Sequence, residues 1–158
     1  MSTYDTAHLA DLQPVTDRWA DVPDPADAIA VQNLVQAYAV YADAGRTDAV
    51  AQLFTADAVW DGSALNYGTA EGPEAIGVIV TGHFRPDEPM MHVPGPPLLA
   101  TAGPDEIHGV CWCLATRWTA GTTGPLIRFY YDDVVRRSAD GRWLFARRRL
   151  RPAFPTNT

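Results

Sequence analysis

Apolar positions between about Ala26 and Ala44 recur at three- and four-residue spacing. Val31, Leu34, Val35, Tyr38, Tyr41 and Ala42 therefore share one helical face. Asp24 or Asp27 is placed to cap the start of this helix and Gly45 to end it. A short helix follows, with Thr47 as its N-cap, Asp48 in its first turn, and Val50, Leu53 and Phe54 turned inward. Thr55-Ala56-Asp57 closes it and Ala58-Val59-Trp60 opens a strand. Gly72-Pro73 begins a third helix that runs to about Phe84 through Ala75, Ile76, Ile79 and Val80, with Glu74 near its positive end. Beyond it the chain turns to β-formers and aromatics, in Glu106–Thr119, Leu126–Arg137 and Arg142–Leu150. Gly121-Thr122-Thr123-Gly124 and Ala139-Asp140-Gly141 supply the turns of an antiparallel meander. Helices gathered first and long strands gathered last predict an α+β fold with the helices on one face of the sheet. A sheet of this length twists and curls, and with helices across it encloses a pocket.

Residues 1–25 lack this patterning, are rich in Asp, and end in Val22-Pro23-Asp24-Pro25. They read as an N-terminal arm with a short helix around Asp5–Leu12 and with Trp19 packed back on the body. The domain proper spans residues 26–151, and 152–158 form a tail. At 158 residues and 47% hydrophobic, the chain is long enough for one self-sufficient core without a disulfide or metal. The net charge of −7 argues against a general nucleic-acid or anionic-membrane binder. Arg128, Arg136, Arg137, Arg142, Arg147, Arg148, Arg149 and Arg151 crowd the C-terminal part, but Asp132, Asp133 and Asp140 interrupt them. No apolar run approaches the roughly 18 residues of a membrane span, and no secretory signal is visible at the start. A cytoplasmic protein is the expectation. Cys111 and Cys113, spaced i and i+2 in an apolar stretch, read as buried thiols rather than a redox or zinc motif.

All 12 basic residues are Arg, so Schiff-base chemistry has no side-chain amine to use. Serine-nucleophile, Walker and dinucleotide motifs are missing, and the four histidines show no metal-ligand spacing. No cofactor is implied. Acid–base chemistry with Asp, His and Tyr remains. Asp43 ends the first helix, where a carboxylate opposes the dipole, and lies on the flank of the buried stripe. His92 sits in the apolar run Met90-Met91-His92-Val93, ahead of the stiff loop Pro94-Gly95-Pro96-Pro97. Each could equally be a solvated helix-end acid or a satisfied core histidine. Tyr38 offers a phenol from the core stripe, or simply packs there. His108 alternates with Val110 and Trp112 and can face the same interior; His83, near a helix end, can simply favour the dipole. Trp60, Trp112, Trp118, Phe129, Tyr130 and Tyr131 suit either the core or a cavity for an apolar, ring-containing ligand.

The order Leu34…Tyr38…Tyr41…Asp43, Leu53-Phe54-x-x-Asp57-Ala58-Val59-Trp60, Gly72-x-x-Ala75-Ile76 resembles the SnoaL-like branch of the nuclear transport factor 2-like superfamily. Tyr131-x-Asp133-x-x-x-Arg137, then Asp140-Gly141-Arg142-Trp143 and Arg148, agrees, although Tyr130, Asp132 and Arg136 fit the first of these equally well. The resemblance covers roughly residues 26–151. It implies a cone-shaped, cystatin-like fold: three N-terminal helices closing a strongly bent antiparallel sheet, assembled as a homodimer or homotrimer. Within the superfamily the chain is most similar to cofactor-free lyases of the scytalone dehydratase, bile-acid 7α-dehydratase and hexachlorocyclohexane dehydrochlorinase types. These pair an Asp at the end of the first helix with a His on the strand after the third, places held here by Asp43 and His92. Tyr38 matches a tyrosine of the bile-acid type. Pro94-Gly95-Pro96-Pro97 is expected to break the strand that the family often continues from this His.

The resulting expectation is a dehydratase-like lyase acting on an apolar cyclic or polyketide-like small molecule. His92 is its base, Asp43 fixes the His92 tautomer, and Tyr38 assists the leaving hydroxyl or holds a carbonyl. Trp60, His108, Trp112, Tyr131 and Arg147 (or Arg149) contact the substrate. Isomerisation, cyclisation or epoxide hydrolysis in the same pocket, and a non-catalytic binding domain, are the alternatives.

Overall fold

The computed structural model describes residue 10 and residues 12–119 and 121–154. Most of the short helix expected around Asp5–Leu12 lies outside the described residues. One helical turn, α1 (Gln13–Thr16), follows it. Trp19 does not pack on the body; it is 68% exposed. The arm docks instead through its aliphatic residues, Leu12 and Val15, which bury against Ala100, Val110 and Tyr130 on the outer face of the sheet. Two hydrogen bonds fix it there: the Arg18 guanidinium donates to the Thr101 carbonyl, and the Thr101 N–H donates to the Asp21 carbonyl at 2.8 Å.

Helix α2 (Pro25–Asp43) starts at Asp24, whose carboxylate accepts the Ala26 N–H at 2.9 Å, with Pro25 at the first helical position. Its buried stripe is Val31, Leu34, Val35, Tyr38, Ala39 and Ala42. Gly45 ends it at φ +64°, and a Cβ there would stand 2.6 Å from the Phe84 ring. In α3 (Thr47–Ala51) the cap position belongs to Arg46. The Thr47 hydroxyl instead hydrogen-bonds the Thr81 hydroxyl at 2.8 Å, tying the short helix to the next. Thr55, Ala56 and Asp57 do not close a helix; they lie in β1 (Phe54–Asp61), because Phe54 already pairs with Phe145 across the sheet. After β2 (Thr69–Glu71), helix α4 (Pro73–Thr81) stops at Gly82, short of Phe84.

The rest is sheet: β3 (Met90–Pro94), β4 (Leu98–Gly103), β5 (Glu106–Thr119), β6 (Thr122–Thr123), β7 (Ile127–Arg137) and β8 (Trp143–Pro152). Eight strands run in the order β2-β1-β8-β7-β5-β3, with β4 and β6 also on β5; β1 and β8 are parallel and the other pairs antiparallel. The proline loop interrupts the ladder without breaking it. Pro94 stays in register with Cys113, the Gly95 N–H reaches the Trp112 carbonyl at 2.9 Å, and Leu98 resumes pairing opposite Val110. Proline is tolerated because this is the edge of the sheet. Gly95 is required because its backbone lies under the Trp112 indole, where a Cβ would come within 2.2 Å.

The helices cover the concave face. Ile107, Cys111, Cys113 and Ala115 of β5, with Phe129, Tyr131 and Val135 of β7, belong to the core beneath them. Alternation in β8 is broken near Ala146, where the pairing slips between Val135↔Phe145 and Val134↔Arg147. That extra residue turns Arg148 inward along with Phe145 and Leu150. Arg148 is fully buried and grips Asp133 with two hydrogen bonds, Nε–Oδ1 at 2.9 Å and Nη2–Oδ2 at 2.8 Å. Its guanidinium carbon lies 3.9 Å from the ring centres of Tyr131 and Phe145, and 4.2 Å from that of Tyr38. Burial alone would lower the guanidinium pKa, but the Asp133 carboxylate outweighs it and holds the charge above the ordinary range.

Two outcomes follow from this buried cluster. Arg148→Met, which strands the Asp133 carboxylate, is expected to cost about 3–5 kcal/mol in urea unfolding, and adding Asp133→Asn to recover part of that loss. Burial pushes the Tyr38 phenol up to about 12, against the Arg148 charge and the Trp60 hydrogen bond. The unfolded chain ionises this phenol near pH ~10 while the folded one keeps its proton. Stability is therefore complete below that pH and falls as pH rises toward the folded value. Urea midpoints measured across this window should fall less steeply in Tyr38→Phe than in the wild type.

Candidate functional site

The mouth of the bent sheet holds a pocket of about 510 Å³, counting the open space at its entrance. Each element contributes a wall: Tyr38 and Ala42 from α2, Trp60 from β1, Ile79 and Val80 from α4. His92 comes from β3, Ala115 from β5, Phe129 and Tyr131 from β7, and Leu150 from β8. The lining is almost wholly apolar, with the polar atoms gathered on two sides.

On one side, Asp43 meets His92. Asp43 Oδ1 lies 2.5 Å from His92 Nδ1, and Asp43 Oδ2 accepts the His92 backbone N–H at 2.8 Å. Both contacts have a local cause. Strand β3 is the sheet edge, so the outward N–H of His92 has no strand to bond. Helix α2 ends against that edge and delivers its last residue there. One carboxylate therefore fixes both the backbone and the ring of the histidine. With Nδ1 engaged, Nε2 is the nitrogen left for the cavity, and the Phe129 ring stands edge-on to the imidazole at 6.4 Å. The pair is partly buried, at 17% and 22% side-chain exposure for His92 and Asp43, which is open enough for a ligand to reach.

On the other side, the Tyr38 oxygen accepts a hydrogen bond from the Trp60 indole N–H at 2.9 Å. The phenol's own proton is thus available to an acceptor in the pocket. Its raised pKa keeps it a donor and denies it the role of a base at neutral pH. Tyr131 packs edge-on to Tyr38 with ring centres 5.7 Å apart, and burial holds its pKa well above the ordinary value. The two thiols are equally inert as nucleophiles, since burial pushes Cys111 up to about 12 and Cys113 to about 11. Among the described residues, no group of three or more His, Cys, Asp or Glu is placed to hold a metal ion.

Asp43, His92, Tyr38, Trp60 and Tyr131 thus converge, while three residues expected at the substrate do not. His108 and Trp112 share the parity of Val110, which lies under the arm on the outer face. His108 Nε2 is bonded to Glu106 at 2.9 Å, and Trp112 is 43% exposed. The concave positions at the middle of β5, Cys111, Cys113 and Ala115, are small, which leaves room for the cavity. Arg147 and its alternative Arg149 also face outward, both paired with Asp132. The slip at Ala146 reverses the parity that would have brought Arg147 in. Pairing also settles the ambiguous motif: Tyr131 and Asp133 face inward, Tyr130 and Asp132 outward. Of the other aromatics read as suited to a cavity, Phe129 lines the pocket, Tyr130 lies under the arm and Trp118 is 48% exposed. Pocket residues not singled out from the sequence are Ala42, Tyr67, Ile79, Val80, Met90, Ala115, Ile127 and Leu150. Of these, Ala42 was legible as one turn beyond Tyr38, and Ala115 as the alternate neighbour of Cys113. His83, read as a helix-end residue, lies at the rim, edge-on to Tyr67 with ring centres 5.1 Å apart.

Among the described residues, no helix is long and apolar enough to cross a membrane. No curated protein matches the chain. Several solved structures share its fold at low identity, three of them from Novosphingobium aromaticivorans. A candidate aromatic ring hydroxylase is 24% identical, with TM-score 0.73, covering 85% of this chain and 94% of its own. A candidate scytalone dehydratase is 23% identical, with TM-score 0.68 and coverage of 84% and 88%. An NTF2-like protein with a cystatin-like fold is 21% identical, with TM-score 0.70 and coverage of 98% and 94%. Residues 25–149 match the SnoaL-like domain, and the chain belongs to that family.

Proposed function

We propose that this protein is a cofactor-independent acid–base enzyme, a lyase of the dehydratase type acting on a small cyclic, largely apolar molecule. The observation that carries the reading is the Asp43–His92 contact at the wall of an apolar pocket. A carboxylate on Nδ1 fixes the tautomer that leaves Nε2 unprotonated and stabilises the imidazolium once Nε2 takes a proton. Nε2 removes a proton from carbon next to a carbonyl, and Tyr38 donates to the carbonyl oxygen as negative charge develops there. The carbon–oxygen bond at the β position then breaks. The departing hydroxide takes back a proton, giving an alkene and water and restoring the neutral histidine. The aromatic walls hold a flat ring and keep bulk water from competing for the base. The fold resemblance to a candidate scytalone dehydratase is consistent with this chemistry.

The test separates proton removal from elimination. Wild-type protein in D2O with a panel of cyclic ketones and β-hydroxyketones is expected to exchange the protons next to the carbonyl, followed by NMR. It should also dehydrate at least one of the hydroxyketones. Asp43→Asn and His92→Gln should lower both rates by ~10²–10⁴-fold. Tyr38→Phe should lower kcat by ~10²-fold with little change in KM, because its hydrogen bond strengthens only as charge develops. Undiminished turnover in Asp43→Asn or His92→Gln would sink the proposal. Exchange without dehydration would instead move the assignment to an isomerase.

A further inference from the structure

The pocket does not end at its rim. Tyr67, His83, Met90 and Ile127 line the inner cavity and also an outer chamber of about 610 Å³, whose remaining walls include Arg117, Thr119 and Gly124. The two chambers differ in chemistry. The inner one is apolar apart from the residues already described, whereas the outer one holds a guanidinium.

Arg117 is held in place without being neutralised by a close partner. Its Nη1 donates to the Glu88 carbonyl and its Nη2 to the His83 carbonyl, each at 3.1 Å, so the guanidinium pins the segment between α4 and β3 across the mouth. Its ion pair with the Glu88 carboxylate is loose, at 3.9 Å, too long for a hydrogen bond. A guanidinium has five N–H donors, and carbonyls engage only two here. The Arg117 side chain is 25% exposed, at the surface of a chamber continuous with the catalytic one.

Resting on the acid–base reading of the inner cavity, we infer that the outer chamber is an anion-recognition subsite. The substrate is an amphiphile: an apolar ring that fills the inner cavity, joined to a carboxylate or comparable anionic group that lies against Arg117. The net charge of −7 repels anions in general, so this one guanidinium at the mouth selects molecules that can reach it with the ring already seated. Charge-assisted contact of this kind orients the ring in one sense, which places the same carbon before His92 on every binding event.

Binding measurements test this without any need for turnover. The probes are 3-phenylpropanoate and its neutral amide, titrated into the full-length protein by calorimetry. The acid should bind about ten-fold or more tightly than the amide, and added salt should erode that preference. Arg117→Gln should abolish the preference while leaving amide affinity within about two-fold, and Glu88→Gln should tighten the acid alone. Opposite signs from these two variants cannot arise from a merely structural role. His92→Gln, which disables the proposed base, should keep the preference, so a failed dyad and a failed subsite are distinguishable. An acid that binds no better than the amide, or a preference that survives Arg117→Gln, overturns the inference.

Discussion

The Arg148–Asp133 pair is the constraint around which the cone is built. A guanidinium wholly removed from water is tolerable only if a carboxylate meets it squarely and polarisable rings close the remaining sides. Asp133 supplies the first condition, and Tyr38, Tyr131 and Phe145 the second. These residues come from α2, β7 and β8, so one electrostatic requirement locks the long helix onto the centre of the sheet. It also fixes the two tyrosines whose rings line the cavity. Replacing the pair with aliphatic side chains could fill the same volume, but nothing would then dictate the angle at which Tyr38 presents its hydroxyl.

The helix so anchored ends at the sheet edge, and its last residue is Asp43. The position of that carboxylate therefore follows from the packing of the helix five residues earlier, at Tyr38, as much as from its own bonds. Gly45 and Phe84 complete the arrangement: a left-handed turn under an aromatic ring leaves no freedom for the helix to extend past Asp43. The Asp43–His92 contact sits where a helix stops against the edge strand, each offering the other a group it could not satisfy internally.

Much of the fold was legible in the sequence because each element's period is local. The stripe of α2, its Asp24 cap and Gly45 end, and the bounds of β5 all rest on residues within one or two turns of each other. Sidedness within the sheet was not legible. Alternation separates the residues of β5 into two sets but does not say which set meets the helices, and size was misleading. In a fold that keeps a hollow, Cys111, Cys113 and Ala115 line the inside while Trp112 goes out. The slip at Ala146 is invisible to alternation altogether, and it decides that Arg148 and not Arg147 is buried. Asp43 and His92 were candidates from their local settings, and the resemblance to a family joined them as a pair. Neither residue alone distinguishes a polar helix end or a core histidine from a working group.

An edge strand is a place where another strand can add, and sheets must guard it. In β3 the guard is Asp43, whose Oδ2 occupies the N–H that an incoming strand's carbonyl would take. Two prolines, Pro94 and Pro96, bracket Gly95 just beyond it. The same carboxylate thus does two things: it orients an imidazole, and it occupies the N–H on which a further strand would template. A substitution chosen to probe the first also opens the second. Solubility and association state therefore rest on Asp43 along with the orientation of His92.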